Sequence, residues 1–233
     1  HIQRRDPIMK RTYLVIISAF FAIMVIAIAQ TQVSSVNVVG YRKFYVPSNG
    51  LSLVSVPFDP VSNGTNSIKT LVGSQLPEGS IAYVWSRANN SYLSAVRAAR
   101  VGWTGIGSTT VLHRGDGFWL KLPAGLTNVP QVEVTFLGEV PDPAIDQTSL
   151  VQNVYGLDLV GYPYPADWAF TNTMLYSNAI SSDAIYVWTN GGYQIYMKNA
   201  RGSWVPSVSS LTIKAGDGFW FKSTNSFDCT DFV

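Results

Sequence analysis

Leu51-Ser52-Leu53-Val54-Ser55-Val56 and Val132-Glu133-Val134-Thr135-Phe136 largely alternate apolar and polar residues. A two-residue period puts successive side chains on opposite faces, so both stretches read as half-buried strands. Tyr83-Val84-Trp85, Tyr186-Val187-Trp188 and Phe118-Trp119-Leu120-Lys121 are aromatic and β-branched runs bounded by Gly or Asn, again the composition of strands. Asn89-Asn90-Ser91 and Asn190-Gly191-Gly192 fall between strand-like segments. The Asn-Gly pair predicts a hairpin, because its turn needs positive φ. Gly-Asp-Gly at 115–117 and 216–218 marks a second tight turn just before each Phe-Trp strand. Residues 67–72 and 171–177 fit a short helix or a loop crossing between sheets. Val33 to Val46 alternates well enough to be a further strand.

The same signals occur twice, in the same order. Gly50-Leu51-Ser52-Leu53-Val54-Ser55-Val56-Pro57-Phe58 matches Gly156-Leu157-Asp158-Leu159-Val160-Gly161-Tyr162-Pro163-Tyr164. The Tyr-Val-Trp runs match, as do Tyr92 with Tyr193 and Ala99-Arg100-Val101-Gly102-Trp103 with Ala200-Arg201-Gly202-Ser203-Trp204. Arg114-Gly115-Asp116-Gly117-Phe118-Trp119-Leu120-Lys121 matches Ala215-Gly216-Asp217-Gly218-Phe219-Trp220-Phe221-Lys222. The offset falls from 106 through 103 to 101, as loop residues are lost from the second copy. Ordered anchors of this kind predict a duplicated unit. The expected fold is all-β: two tandem small antiparallel β domains, sandwich-like or partly closed barrels, after an N-terminal signal helix. The expected boundaries are 1–29 for the signal, 30–140 for the first domain with its extra strand, 141–149 for a Pro-containing linker and 150–233 for the second domain. The second copy stops soon after its Phe-Trp strand, so one copy is expected to lack an edge strand that the other, or a neighbouring molecule, supplies.

The N-terminus has the pattern of an export signal. Lys10-Arg11 precedes a 17-residue apolar run from Tyr13 to Ala29, interrupted only by Ser18. Ala27-Ile28-Ala29 has the small-x-small form of a cleavage site, leaving Gln30 as the new first residue. Met9 is the natural start of such a signal. A span of 17 sits at the lower edge for crossing a bilayer, so cleavage is favoured over a retained anchor. The expected location is secreted, extracellular or cell-surface, with membrane contact only if the segment is kept.

Composition and charge narrow the chemistry. Hydrophobic residues make up 47% and charged residues 13%, which argues against disorder. Residues 1–29 carry Arg4, Arg5, Lys10 and Arg11 against Asp6, a net +3 out of the chain's +2. The cleaved chain is therefore −1, and no basic patch is left for nucleic acid. Two His and one Cys rule out a His/Cys metal cage and an intrachain disulfide. No cofactor is expected. Cys229 is either a small core residue or a link between chains. His113 is the one His after the signal, and no Gly-x-Ser-x-Gly elbow accompanies it, so it reads as a turn residue. Asp116 and Asp217, one per copy, read as turn residues bonding their own backbone rather than as a catalytic acid pair. No calcium loop or phosphate-cradling loop is present. Asn63-Gly64-Thr65 and Asn89-Asn90-Ser91 match a glycosylation sequon that is common by chance. The chain is expected not to be an enzyme.

The tryptophans are the remaining candidates. Trp85, Trp103, Trp119, Trp188, Trp204 and Trp220 form three equivalent pairs. Exposed rings stack on sugars; buried ones fill small cores. In Phe118-Trp119 one side chain faces in and the next out. Core or interface is favoured over a sugar platform, and both readings stay open.

The succession Gly-Leu-x-Leu-Val-x-x-Pro, Tyr-Val-Trp and Gly-Asp-Gly-Phe-Trp-x-Lys resembles a loosely defined, largely uncharacterised group of secreted bacterial β-domain repeat proteins of the Verrucomicrobia and Planctomycetes type. The resemblance spans nearly all of residues 33–223. It implies an exported cell-surface or extracellular protein. Its motifs specify a fold unit, and no catalytic residue carries over. The expected function is an exported structural or adhesive protein, self-associating into an oligomer, filament or surface layer by β-strand addition. The candidate interface strand holds Val33, Val36, Val38, Tyr41 and Phe44. The alternative is a carbohydrate-binding module that meets a polysaccharide through exposed tryptophans.

Overall fold

A computed structural model describes residues 38–61, 64–126, 129–141 and 152–229. They belong to one compact unit, Asn37–Val233. The signal segment, Val33, Val36, Asn63 and residues 142–149 of the linker lie outside the described residues.

The fold is all-β. Strands β1 (Val39–Pro47), β2 (Leu51–Ser55), β3 (Ile81–Ser86), β4 (Ser91–Ala98), β5 (Gly102–Thr104), β6 (Gly117–Lys121) and β7 (Gln131–Glu139) come first. They are followed by β8 (Gln152–Gly161), β9 (Trp168–Ala169), β10 (Ala184–Thr189), β11 (Gly192–Lys198), β12 (Trp204–Val205), β13 (Thr212–Ile213) and β14 (Gly218–Cys229). One five-stranded antiparallel sheet runs β2-β6-β3-β4-β5 and another β8-β14-β10-β11-β12. The order is the same position by position. Two ribbons complete the set, β1–β7 and β9–β13.

Local chemistry explains the turns. Asn190 and Gly191 both have positive φ, at 51° and 81°, between the paired residues Thr189 and Gly192. This is the two-residue hairpin geometry for which Asn-Gly is suited. In each Gly-Asp-Gly segment the first glycine has positive φ, and the Asp N–H donates back three residues, to His113 O and Lys214 O. The two ambiguous segments each hold one helical turn: α1 (Ile68–Leu71) and α2 (Met174–Asn178). Ser67 and Thr70 bond reciprocally across the start of α1, and the Thr173 hydroxyl accepts from Tyr176 N at α2. These caps satisfy N–H groups that the helix leaves without partners.

Each five-stranded sheet is buried on two faces. In β6, Phe118 and Leu120 join a core with Phe44 and Val46 of β1, Val134 and Phe136 of β7, and Ile68 and Leu71 of α1. The β1–β7 ribbon thus covers the first sheet. In β14, Phe219 and Phe221 join a core with Phe170, Leu175 of α2, Trp204 and Ile213 of β13. The opposite faces meet each other. Leu53, Trp119, Leu159 and Trp220 form a third cluster flanked by Leu51, Tyr83, Trp85, Tyr186 and Trp188.

Two features of the structure bear on the expected edge strands. The candidate interface strand is paired within its own chain: β1 pairs with β7 from Val39↔Glu139 to Pro47↔Gln131, and Phe44, expected at an interface, is buried in the first core. The physical reason is the alternation itself, which gives Phe44 and Val46 an apolar face that the sheet covers. The Phe-Trp strand of the second copy is itself extended. Beyond a bulge at Ser223–Phe227, β14 runs on to Cys229 and pairs with Gln152–Val154 of β8.

Candidate functional site

The seam between the two sheets gathers the aromatic motifs. Trp119 meets Trp188 edge-on at 5.0 Å between centroids, and Trp220 meets Trp85 at 4.8 Å. The contacts are reciprocal. Trp119 Nε1 donates to Tyr92 Oη at 3.1 Å, and Trp220 Nε1 donates to Tyr193 Oη at 3.0 Å. T-shaped aromatic pairs with satisfied ring N–H groups are favourable beyond the area they bury. The backbone is reciprocal too: Ser55 N donates to Gly216 O at 2.7 Å, and Gly161 N donates to Gly115 O at 2.8 Å. Each Gly-Asp-Gly turn therefore docks on the opening strand of the other half.

These contacts place the candidate tryptophans. Trp103, Trp119, Trp204 and Trp220 are buried, and Trp85 and Trp188 are half-buried. Trp103 Nε1 donates to Gly73 O at 2.7 Å, a structural role. The six rings form no open platform. Among the candidate strand residues, Val38 and Tyr41 are exposed while Phe44 is not.

Two grooves open along the seam. One, of about 500 Å³, is bordered by Arg42, Leu51, Trp188, Asn190, Lys214 and Asp217. The other, of about 230 Å³, is bordered by Trp85, Arg87, Thr110, His113, Asp116 and Asp158. By the repeat alignment, Trp85 answers to Trp188, Arg87 to Asn190, His113 to Lys214, Asp116 to Asp217 and Asp158 to Ser52.

The smaller groove holds a buried acid. Asp158 is 2% exposed and pairs with Arg87, Oδ2 to Nη2 at 2.5 Å. Burial pushes the Asp158 carboxyl above the ordinary carboxylate value, and the half-exposed Arg87 guanidinium only partly offsets this. Asp116 Oδ2 accepts from His113 N at 2.7 Å and lies 3.4 Å from His113 Nδ1. That contact raises the imidazole's pKa. Asp116 thus caps its own turn. In the larger groove, burial likewise raises Asp217, opposed by Arg42 and Lys214.

Asp183 is buried, but its carboxylate accepts from Ile180 N and from Thr224 N and Oγ1. Among the described residues no group of three His, Cys, Asp or Glu side chains is placed to hold a metal ion, and no helix is long and apolar enough to cross a membrane.

Sequence reasoning missed Arg87 and Asp158. The signal was present in the alignment: Leu-Ser-Leu becomes Leu-Asp-Leu, and Asp is disfavoured inside a strand unless a partner compensates it. Compared with protein-family models, curated proteins and solved structures, the chain matches none of them.

Proposed function

We propose that this chain is an exported, non-enzymatic structural or adhesive protein that self-associates through the outer surface of its β1–β7 ribbon. The supporting observation is an exposed apolar pair on the ribbon itself. Four of the six motif tryptophans are buried and two half-buried, whereas Tyr41 and Leu137, directly opposite each other in the ribbon, are 68% and 60% exposed. Val38 and Val39 extend the same end of the ribbon and are also exposed. Contiguous exposed apolar residues mark interaction surfaces. Among the described residues, β1 pairs along one edge only, with β7. An open edge is a template for strand addition by a second copy. The opposite end of the ribbon carries a Lys43–Glu133 ion pair at 2.8 Å with Tyr45 Oη donating to Glu133, a polar limit to the patch. Export is supported by the basic-then-apolar N-terminal pattern.

The test is assembly of residues 30–233, followed by sedimentation velocity and negative-stain microscopy. The wild type is expected to form regular oligomers or filaments. Tyr41→Glu with Leu137→Lys is expected to leave a folded monomer, because both side chains point outward. A wild type that stays monomeric at high concentration overturns the reading.

A further inference from the structure

The two seam grooves occupy equivalent places but differ in what their tryptophans find. In the larger groove the indole is satisfied: Trp188 Nε1 donates to Leu51 O at 3.0 Å. In the smaller one Trp85 Nε1 is buried and finds no acceptor among the described residues. A buried donor left unpaired costs free energy, so it calls for an explanation. The same groove replaces Ser52 by the buried Asp158 and Asn190 by Arg87. Burying such a pair brings a desolvation penalty that a well-packed alternative avoids. The sheets pack in the same way where Ser52 and Asn190 stand, so the scaffold does not need the pair.

The chemistry of the groove selects its ligand. Arg87 pairs with Asp158, and Asp116 lies against His113, which is positive only when protonated. An anion meets two carboxylates there, and a cation meets a guanidinium. A neutral polyhydroxylated molecule suits both, since each hydroxyl both donates and accepts. The volume of about 230 Å³ lies below the range typical of drug-sized ligands and suits a single ring. The Trp85 indole supplies an apolar wall for ring C–H groups.

We propose that the groove between β3, the 110–117 loop and β8 binds one neutral sugar residue, with the Trp85 indole as its apolar wall, Arg87 donating to its hydroxyls and Asp158 accepting from them. No residue of β1 or β7 lines this groove, so the inference stands apart from ribbon-mediated assembly.

The experiment reads the seven tryptophan indole N–H signals of the full chain by NMR, with Trp85 assigned from Trp85→Phe. The probes are methyl glucoside, methyl mannoside, methyl galactoside and N-acetylglucosamine, with sulfate and glucuronate as charged comparators. A saturable shift of the Trp85 signal with at least one neutral sugar is expected. Asp158→Asn is expected to weaken that binding about tenfold or more, the scale of losing a hydrogen bond to a charged group. Arg87→Met, at a side chain 41% exposed and so tolerant of replacement, is expected to weaken it similarly while the other six indole signals stay in place. No response to any neutral sugar overturns the proposal. So does a response confined to sulfate or glucuronate, or one that Trp188 shares equally.

Discussion

At the scale of single residues, the close approach of the two halves rests on glycines. An added Cβ on Gly161 would collide with the Ser55 side chain and come within 2.8 Å of Asp217 O. On Gly218 it would meet Val54 O at 2.8 Å, and on Gly117 the Leu159 side chain at 2.9 Å. These are backbone or packed neighbours, so relief requires the sheets to part. Gly192, in the β10–β11 hairpin, has nothing within 4 Å of its added Cβ. Gly161→Ala is therefore expected to destabilise the protein by about 1–3 kcal/mol, the usual range for overpacking a filled interior. Gly192→Ala is expected to change stability by less than about 0.5 kcal/mol, as at an ordinary surface site. Urea midpoints for the two variants decide this. Equal effects would mean that the seam yields freely.

At the scale of elements, the reciprocal tryptophans are not equal. Trp188 on β10 reaches across the seam to Leu51 O, whereas Trp85 on β3 has no acceptor in the equivalent place. Replacing either by Phe removes comparable ring area, but only Trp188→Phe strands a carbonyl that had a partner. Trp188→Phe is expected to cost about 1 kcal/mol more than Trp85→Phe, the typical net worth of one hydrogen bond. Denaturant unfolding of both single variants measures the difference, and equal losses would remove the asymmetry. Much of this level was legible in the sequence. The alternation at 51–56 and 132–136 marks β2 and β7, and Asn190-Gly191 marks its hairpin, because period and turn chemistry are local properties. The capped single turns at Ser67 and Thr173 were ambiguous because one helical turn leaves no periodicity to detect. Pairing was not legible. Alternation in β1 shows that one face is buried but not which strand lies beside it, so its pairing with β7 had to come from the structure. The Arg87–Asp158 contact joins residues from different halves, and no local pattern records it.

At the scale of the molecule, Asp158 joins the two halves by an ion pair whose carboxylate is buried and whose guanidinium is half in water. Coulomb attraction to a solvated partner is weak, so burial dominates and the folded-state carboxyl sits above its ordinary value of 3.8. The sign follows from linkage. The native state holds this proton more tightly than the unfolded chain does. Stability therefore grows as pH falls through the raised folded-state value, and the gain is complete below 3.8. His113 behaves in the same sense, over a higher pH interval. Its raised pKa gives stability that is full below 6.5 and is lost as pH rises through the folded value. Asp217 is also raised by burial and acts in the same direction as Asp158. A single stability profile would mix all three. Comparing wild type with Asp158→Asn at each pH cancels His113 and Asp217, which both chains keep, and leaves the Asp158 contribution alone. The wild type is expected to gain on the variant steadily as pH is lowered from about 7 to below the ordinary carboxylate range. Urea unfolding across that interval measures the difference. If the wild type instead loses ground on acidification, the Arg87 attraction outweighs burial, and the seam is held by the ion pair rather than in spite of it.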